Sequence, residues 1–425
     1  MSQQTNVETS TSSLTRKLIL AIGSLKPETG ALTLLIAYIA FIVLGLPDGL
    51  LGVGWPSIRS EFGVGHDAQG LLIAFSVAGY LIASSNSGRL INTLGMGRTL
   101  ILSSLMRALG LLGYALAPAW GAMVSVGALT GLGNGAIDAG LNTYIAANFT
   151  ARYMNWLHAC FGIGATFGPL VMTGAMNAAG SWRWGYATVA VAQFVILLTV
   201  FSTRRQWRAP LESAQAPGAA ASAPARPGET LRLPATWVGI ATFFLVAGNE
   251  VTVGNWAYTL FTEGRGIDPD MAGLWASFYW FSFTIGRILA GFIVARIGSV
   301  RLLRLSMVGA VIGALLIWAN PSAAVSFVGL ALVGFSIAPM FPLLISLTPA
   351  RIGAQHAANA IGFQVGAAGV GIACLPALAG VLMTRLGNLE ILGPYTTLVA
   401  VALLLLNEAT LYRERRARPG LMRAG

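Results

Sequence analysis

Acidic residues are scarce in this 425-residue sequence, and histidine and cysteine scarcer still: 15 Asp and Glu, three His, two Cys. Two cysteines, Cys160 and Cys374, build no disulfide framework, and with three scattered histidines they offer no metal-ligand spacing. Both fall in apolar stretches and read as small buried hydrophobes. Charged residues of either sign make up 10% of the chain, against about 25% in soluble domains, which excludes an ordinary water-soluble globule. The glycine runs have no P-loop lysine and follow no strand, so no enzyme motif competes and direct coupling to ATP is excluded.

What is present is apolar. The chain is 55% hydrophobic with a mean hydropathy of +0.71. A bilayer core of about 30 Å takes about 20 apolar residues per helix. Twelve stretches meet that length. The first six lie near 31–58, 67–92, 98–117, 120–148, 155–178 and 183–203. The second six lie near 234–263, 270–296, 300–319, 322–350, 356–384 and 390–412. The expected organisation is a cytoplasmic segment 1–30, a six-helix bundle 31–203, a linker 204–233, a second bundle 234–412 and a basic tail 413–425. The linker is Ala/Pro-rich with five arginines, a composition for an extended connection.

The net charge of +11 would suit nucleic acid, but its distribution argues for a membrane. Of the 26 basic residues, Arg107 and Arg287 lie within spans, and Arg59, Arg183, Arg265 and Arg385 lie on one side. The other 20 lie on the side of the termini, which the positive-inside rule makes cytoplasmic. The basic tail then faces lipid headgroups.

The two halves match at a shift of 203 residues: Gly70 with Gly273, Phe75 with Phe278, Gly88 with Gly291, Gly95 with Gly298, Arg98 with Arg301, Gly131 with Gly334. Parallel repeats of this kind place a substrate site between the halves near mid-membrane. The segment Gly88-Arg89-Leu-Ile-Asn92-Thr-Leu-Gly95-Met-Gly97-Arg98, echoed at Gly291 to Arg301, resembles the signature loop of the major facilitator superfamily. That superfamily usually has aspartate where this chain has Asn92. The resemblance implies an all-α membrane protein of twelve transmembrane helices in two six-helix repeats, both termini cytoplasmic, with Arg89, Arg98 and Arg301 as gating or charge-pair residues.

Three acids sit deep in the spans: Asp48, Asp138 and Glu250. A carboxylate in hydrocarbon costs several kcal/mol, so such acids line a water-filled path or carry a proton. Asn134, Asp138 and Asn142 are four apart and share one helix face. Glu250 either pairs with Arg287 as a latch or meets substrate. His158 either packs between helices or binds substrate and responds to pH. Arg107 fits a side chain snorkelling to the interface, His66 a solvated loop. Trp55, Trp120, Trp182, Trp184 and Trp318 fit interfacial anchors.

Within the superfamily the chain resembles the fucose/galactose/glucose:proton symporters and the related sodium-dependent glucose transporters. The resemblance covers Asp48 and Asp138, the Gly-x-Gly-Asn run ending at Asn134, Asn155 to Gly162, Glu250 to Trp256, Ala338 to Pro342 and Asn359 to Gln364. It implies uptake of a small polar solute, a sugar, by alternating access, with protons or sodium as coupling ion and no other cofactor. Sugar binding needs amphoteric amides and a flat apolar surface. The amide candidates are Asn134, Asn142, Asn249, Asn359 and Gln364, and the platforms Trp256, Tyr279 and Trp280. The expected molecule is a monomer in the plasma membrane, the inner membrane of a bacterium. Gly164-x-x-x-Gly168-Pro169 also resembles the antiporter signature, without its following Gly-Gly, which leaves drug or metabolite efflux open. A non-transporting receptor or scaffold is the remaining alternative, and one with no need of intramembrane acids.

Overall fold

The computed structural model describes residues 29–149, 151–207 and 225–417. The N-terminal segment, most of the linker and the end of the basic tail lie outside the described residues. Within them the regular structure is entirely helical. The first half comprises α1 (Thr29–Phe62), α2 (Ala68–Leu94), α3 (Met96–Leu116), α4 (Trp120–Asn148), α5 (Ala151–Ala179) and α6 (Arg183–Ser202). A short α7 (Pro227–Leu231) then leads into α8 (Pro234–Thr259), which a π turn, Leu260–Gly264, extends. The rest is α9 (Pro269–Ile297), α10 (Ser299–Ala319), α11 (Ala323–Ile337), α12 (Met340–Ile352), α13 (Ala354–Leu386) and α14 (Leu392–Ala417).

Local chemistry sets several of these ends. Pro234 and Pro269 open α8 and α9, where a missing N–H costs nothing. The Asp268 carboxylate caps α9 by accepting from the backbone N–H groups of Asp270 and Met271. The tenth expected span, 322–350, is broken into α11 and α12 at Ala338-Pro339, because proline donates no backbone hydrogen bond and crowds the preceding turn.

Among the described residues eleven apolar helical stretches are long enough to cross a bilayer, with α11 and α12 counted together. The 29-residue α4 stands at the fourth expected span but is not among them; Asn134, Asp138 and Asn142 dilute its hydropathy. Large apolar side chains point outward all round, among them Leu398 at 69% exposure and Leu116 at 68%. Water would not tolerate that belt, and lipid does. Cys374 joins it, exposed rather than buried as expected, and Cys160 is half-buried.

Packing repeats between the halves. In the first, α1 lies on α5, α2 on α4, and α3 on α4 and α6. In the second, α8 lies on α13, α9 on α11, and α10 on α11 and α14. The loops 203 residues apart repeat the same backbone conformation at their glycines. Gly95 has φ 81° and ψ 156°, Gly298 φ 80° and ψ 153°, and their N–H groups donate to Ile91 O and Val294 O, each at 2.9 Å. Both sit in the positive-φ region that favours glycine. Charge at the helix ends repeats with its partners exchanged. Arg183 of α6 pairs with Glu61 of α1 at 2.7 Å and donates to Ala115 O and Ala117 O. Arg265, after α8, pairs with Glu390 before α14 at 2.7 Å and donates to Ile317 O. Each guanidinium thus also satisfies carbonyls at a helix C-terminus.

The halves meet tightly at one end only. There Arg59 and Glu263 form an ion pair at 2.6 Å, Asn177 donates to Asp270 at 2.6 Å, and Ser277 donates to Thr166 O at 2.6 Å. Trp55 is fully buried against Trp120 and Trp256, and Trp182 donates to Glu61, so neither anchors at an interface as expected; Trp184 and Trp318 are exposed. His66 is not solvated either: its ring packs on Trp256, with Nε2 3.8 Å from Glu263. Towards the opposite end no hydrogen bond or ion pair joins the halves among the described residues, and the space between them widens into a cavity.

Candidate functional site

The cavity encloses about 1680 Å³ and reaches from Tyr114 and Tyr186, towards the closed end of the first half, to Ser299 and Ser346 near the open end. From the first half its wall receives Asp48 (α1), Tyr80 (α2), Arg107 (α3), Asn134 and Asp138 (α4), and Trp156 and His158 (α5). From the second half it receives Glu250 and Asn255 (α8), and Trp280 and Arg287 (α9). Leu44, Phe41, Phe161, Phe283 and Phe341 supply apolar wall between these groups. The lining is a mostly apolar surface with a few convergent polar groups, the usual composition of a small-molecule site.

Asp138 owes its position to glycine. A Cβ at Gly131 or Gly135 would run into the carbonyls of Ser76 and Tyr80, so only glycine lets α4 approach α2 this closely. That approach brings the Tyr80 hydroxyl to Asp138, where it donates to Oδ2 at 2.7 Å. One turn on, Asn142 Nδ2 donates to Asp138 Oδ1 at 2.9 Å. The His158 ring stands across the cavity corner within electrostatic reach of Asp138. Phe41 packs edge-on against that ring at 5.8 Å.

Asp48 follows Pro47, which has no N–H to give the carbonyl of Val43. Arg107 replaces the missing donor: its Nη2 donates to Val43 O at 3.2 Å and Leu44 O at 2.8 Å. Arg107 is 0% exposed, so the snorkelling expected from the sequence is corrected. Burying a guanidinium is tolerated here because the carbonyl freed by Pro47, and Leu44 O beside it, receive it. Asp48 lies deep between the halves, yet its side chain is open to the cavity.

Glu250 and Arg287 share the opposite wall. No ion pair within 4.0 Å joins them, so the latch geometry is absent in this conformation. Arg287 donates to Ala338 O at 3.4 Å, at the α11–α12 break, and lies 4.6 Å over the Phe283 ring. Tyr279 braces the same wall from behind by donating to Glu250 O at 2.8 Å.

Several sequence candidates stand away from the cavity. Tyr279, Trp256, Asn249 and Gln364 are buried in helix packing. Trp256 donates to Pro376 O at 3.0 Å, and Gln364 accepts from Thr348 at 3.0 Å. Asn142 reaches the site only through Asp138. Asn359 clamps the linker end instead, donating to Ala225 O at 2.7 Å and to Thr230 at 3.3 Å. Arg89, Arg98 and Arg301 are exposed at the open end, with no ion pair among the described residues. Tyr80 escapes sequence reasoning, because a lone polar residue in an apolar span carries no motif; Asn255 lies in the Glu250 to Trp256 stretch but is not among the sequence candidates. Arg107 does carry a signal: a proline freeing a carbonyl in one span, and a cation at matching depth in another.

The Major Facilitator Superfamily model matches residues 37–266 and 238–421. The chain is 23% identical over 379 residues to the glucose/mannose transporter GlcP of Bacillus subtilis (strain 168), covering 87% of this chain and 92% of that protein. It is 30% identical over 207 residues to Bypass of stop codon protein 6 of Saccharomyces cerevisiae, a match spanning 45% of this chain and only 40% of that protein. Among solved structures it is similar to the Escherichia coli fucose:proton symporter FucP, with a TM-score of 0.61, 15% identity, and coverage of 89% and 98% of the two chains. With the family model spanning both halves and the fold shared with solved members, the chain belongs to the Major Facilitator Superfamily and is a multi-pass integral membrane transporter.

Proposed function

We propose that the protein takes up a sugar together with protons, as a monomer of twelve spans in the plasma membrane with both termini in the cytoplasm. The observation that carries this reading is the cavity between the halves, whose wall holds Asp48, Asp138 and Glu250 with amides and aromatic rings beside them. The relatedness to a glucose/mannose transporter supports a sugar as cargo. Exposed Arg89, Arg98 and Arg301 at the open end support a cytoplasmic orientation for that end. The conformation is then inward-open, with the Arg59–Glu263 end closed towards the outside.

Asp138 is the proton carrier in this reading. Proton uptake on Oδ2 turns the Tyr80 hydroxyl from donor to acceptor, which a hydroxyl achieves by rotation alone. Sugar and proton load while the cavity faces outward, the halves rock, and cavity water receives the proton inside. Asn134 and Asn255 offer donors and acceptors to hydroxyls, and Trp280 a flat face to the C–H side of a ring. In proteoliposomes under an imposed proton gradient and without sodium, Asp138→Asn is expected to lose uphill sugar uptake and keep sugar–sugar exchange. Accumulation by the variant comparable to wild type would remove Asp138 from the coupling role, and wild-type uptake that needs sodium would replace the ion.

A further inference from the structure

Arg107 spends only part of its guanidinium on the protein. Nη2 serves Val43 O and Leu44 O, while Nε and Nη1, fully buried, have no hydrogen-bond partner among the described residues. The side chain nevertheless forms part of the cavity wall. Facing it is Asp48, whose carboxylate takes part in no hydrogen bond or ion pair among the described residues and is open to the cavity. The two groups feel each other electrostatically but stand more than 4.0 Å apart. Unused donors on one side and an unused acceptor on the other thus border one gap. Leaving buried donors unpaired is costly, and a charged one more so.

We infer that Arg107 and Asp48 form a two-point subsite for one hydroxyl group of a neutral sugar, in the first half of the molecule. A hydroxyl accepts and donates at once, so it takes a bond from Arg107 and gives one to Asp48. A ligand carboxylate satisfies Arg107 but is pressed against Asp48, and a ligand cation suffers the reverse. The subsite therefore selects uncharged polyhydroxylated solutes over sugar acids and amino sugars. Pro47 contributes to its stability: the Val43 carbonyl it leaves without a helical donor, with Leu44 O beside it, holds one edge of the guanidinium, so the buried unpaired donors at the cavity wall are fixed in place. The inference rests on the reading of the cavity as a sugar path.

The test is equilibrium binding of D-glucose, D-mannose, D-galactose and L-fucose to purified protein, followed by the monodeoxy derivatives of the tightest binder and its uronic acid. Thermal unfolding of each variant is recorded alongside. For wild type, removal of one particular hydroxyl is expected to weaken binding about tenfold or more, the scale of a hydrogen bond to a charged group. Arg107→Gln and Asp48→Asn should each weaken the parent sugar by a similar factor and narrow its advantage over that deoxy derivative. The uronic acid should bind wild type more weakly than the parent. Should Arg107→Gln fail to fold, Asp48→Asn with the deoxy series decides. Folded variants that keep both affinity and hydroxyl discrimination overturn the subsite alone, as does a uronic acid that binds wild type more tightly than its parent. Absence of binding by any of the four sugars to wild type overturns the sugar reading and the subsite together.

Discussion

Asp138, Asp48 and Glu250 stand on one cavity, yet their surroundings differ. Asp138 has both oxygens hydrogen-bonded, to Tyr80 and Asn142, while Asp48 and Glu250 have no side-chain hydrogen bond among the described residues. A bond to a charged acceptor is worth about 1.5–3 kcal/mol, so losing one changes a rate by about tenfold or more. Tyr80→Phe keeps the ring and deletes that donor. It is expected to slow proton-driven uptake by about tenfold. In an Asp138→Asn background, which keeps sugar–sugar exchange, it should leave the exchange rate unchanged, since residues acting through one another are non-additive. A tenfold slowing of exchange by Tyr80→Phe in that background would show that the hydroxyl acts elsewhere.

Helix contacts decide where those side chains stand. The α2–α4 seam depends on Gly131 and Gly135, beneath which lie the backbone carbonyls of Ser76 and Tyr80. Backbone cannot yield as a long side chain does. Gly135→Val is therefore expected to separate the helices and cost about 1–3 kcal/mol, read as a lowered unfolding temperature in detergent. Gly88, towards the end of α2, has no neighbour within 4 Å of the position a Cβ would take, so Gly88→Val should leave that temperature nearly unchanged. A similar drop in both would show that the loss does not come from the seam, since valine is a better helix former than glycine. Proline acts on elements in the opposite sense, opening gaps in the hydrogen-bond ladder. Pro47 frees carbonyls that Arg107 takes, and Pro339 breaks the tenth span where Arg287 reaches Ala338 O.

Across the whole molecule, closure at one end is held by few polar links, so it is poised to open. The Arg59–Glu263 pair is about one quarter exposed on each side, which limits it to about 1 kcal/mol or less. His66 adds a pH dependence. Burial lowers its pKa from the ordinary 6.5 or so, and the Arg59 charge adds to this; Glu263 and Asp67 oppose it with smaller effect. The closed end therefore favours neutral His66. Its contribution to closure is fully present above about pH 6.5 and is lost as pH falls through the lowered value. Spin labels at Ser60 and Met271, on opposite halves, should move apart at low pH in wild type and not in His66→Asn. A pH response that survives in the variant would assign it to the cavity acids instead.

Much of this is written in the sequence. Bilayer thickness is constant and hydropathy is local, so the spans, the depth of Asp48, Asp138 and Glu250, and the 203-residue echo seen in the Gly95 and Gly298 turns need no tertiary information. Span length does not say which way a helix is turned. Asn359 and Gln364 share a helix with the cavity residues Val365, Ala368 and Ile372, but the packing of α13 turns them to the linker and to Thr348. Trp256 is as good a ring platform as Trp280 until α8 and α1 meet and bury it. The tertiary structure alone decided that Tyr80 serves Asp138 and that Arg107 serves α1, because such pairings depend on how closely neighbouring helices approach, and that approach is set by glycines and prolines on both partners.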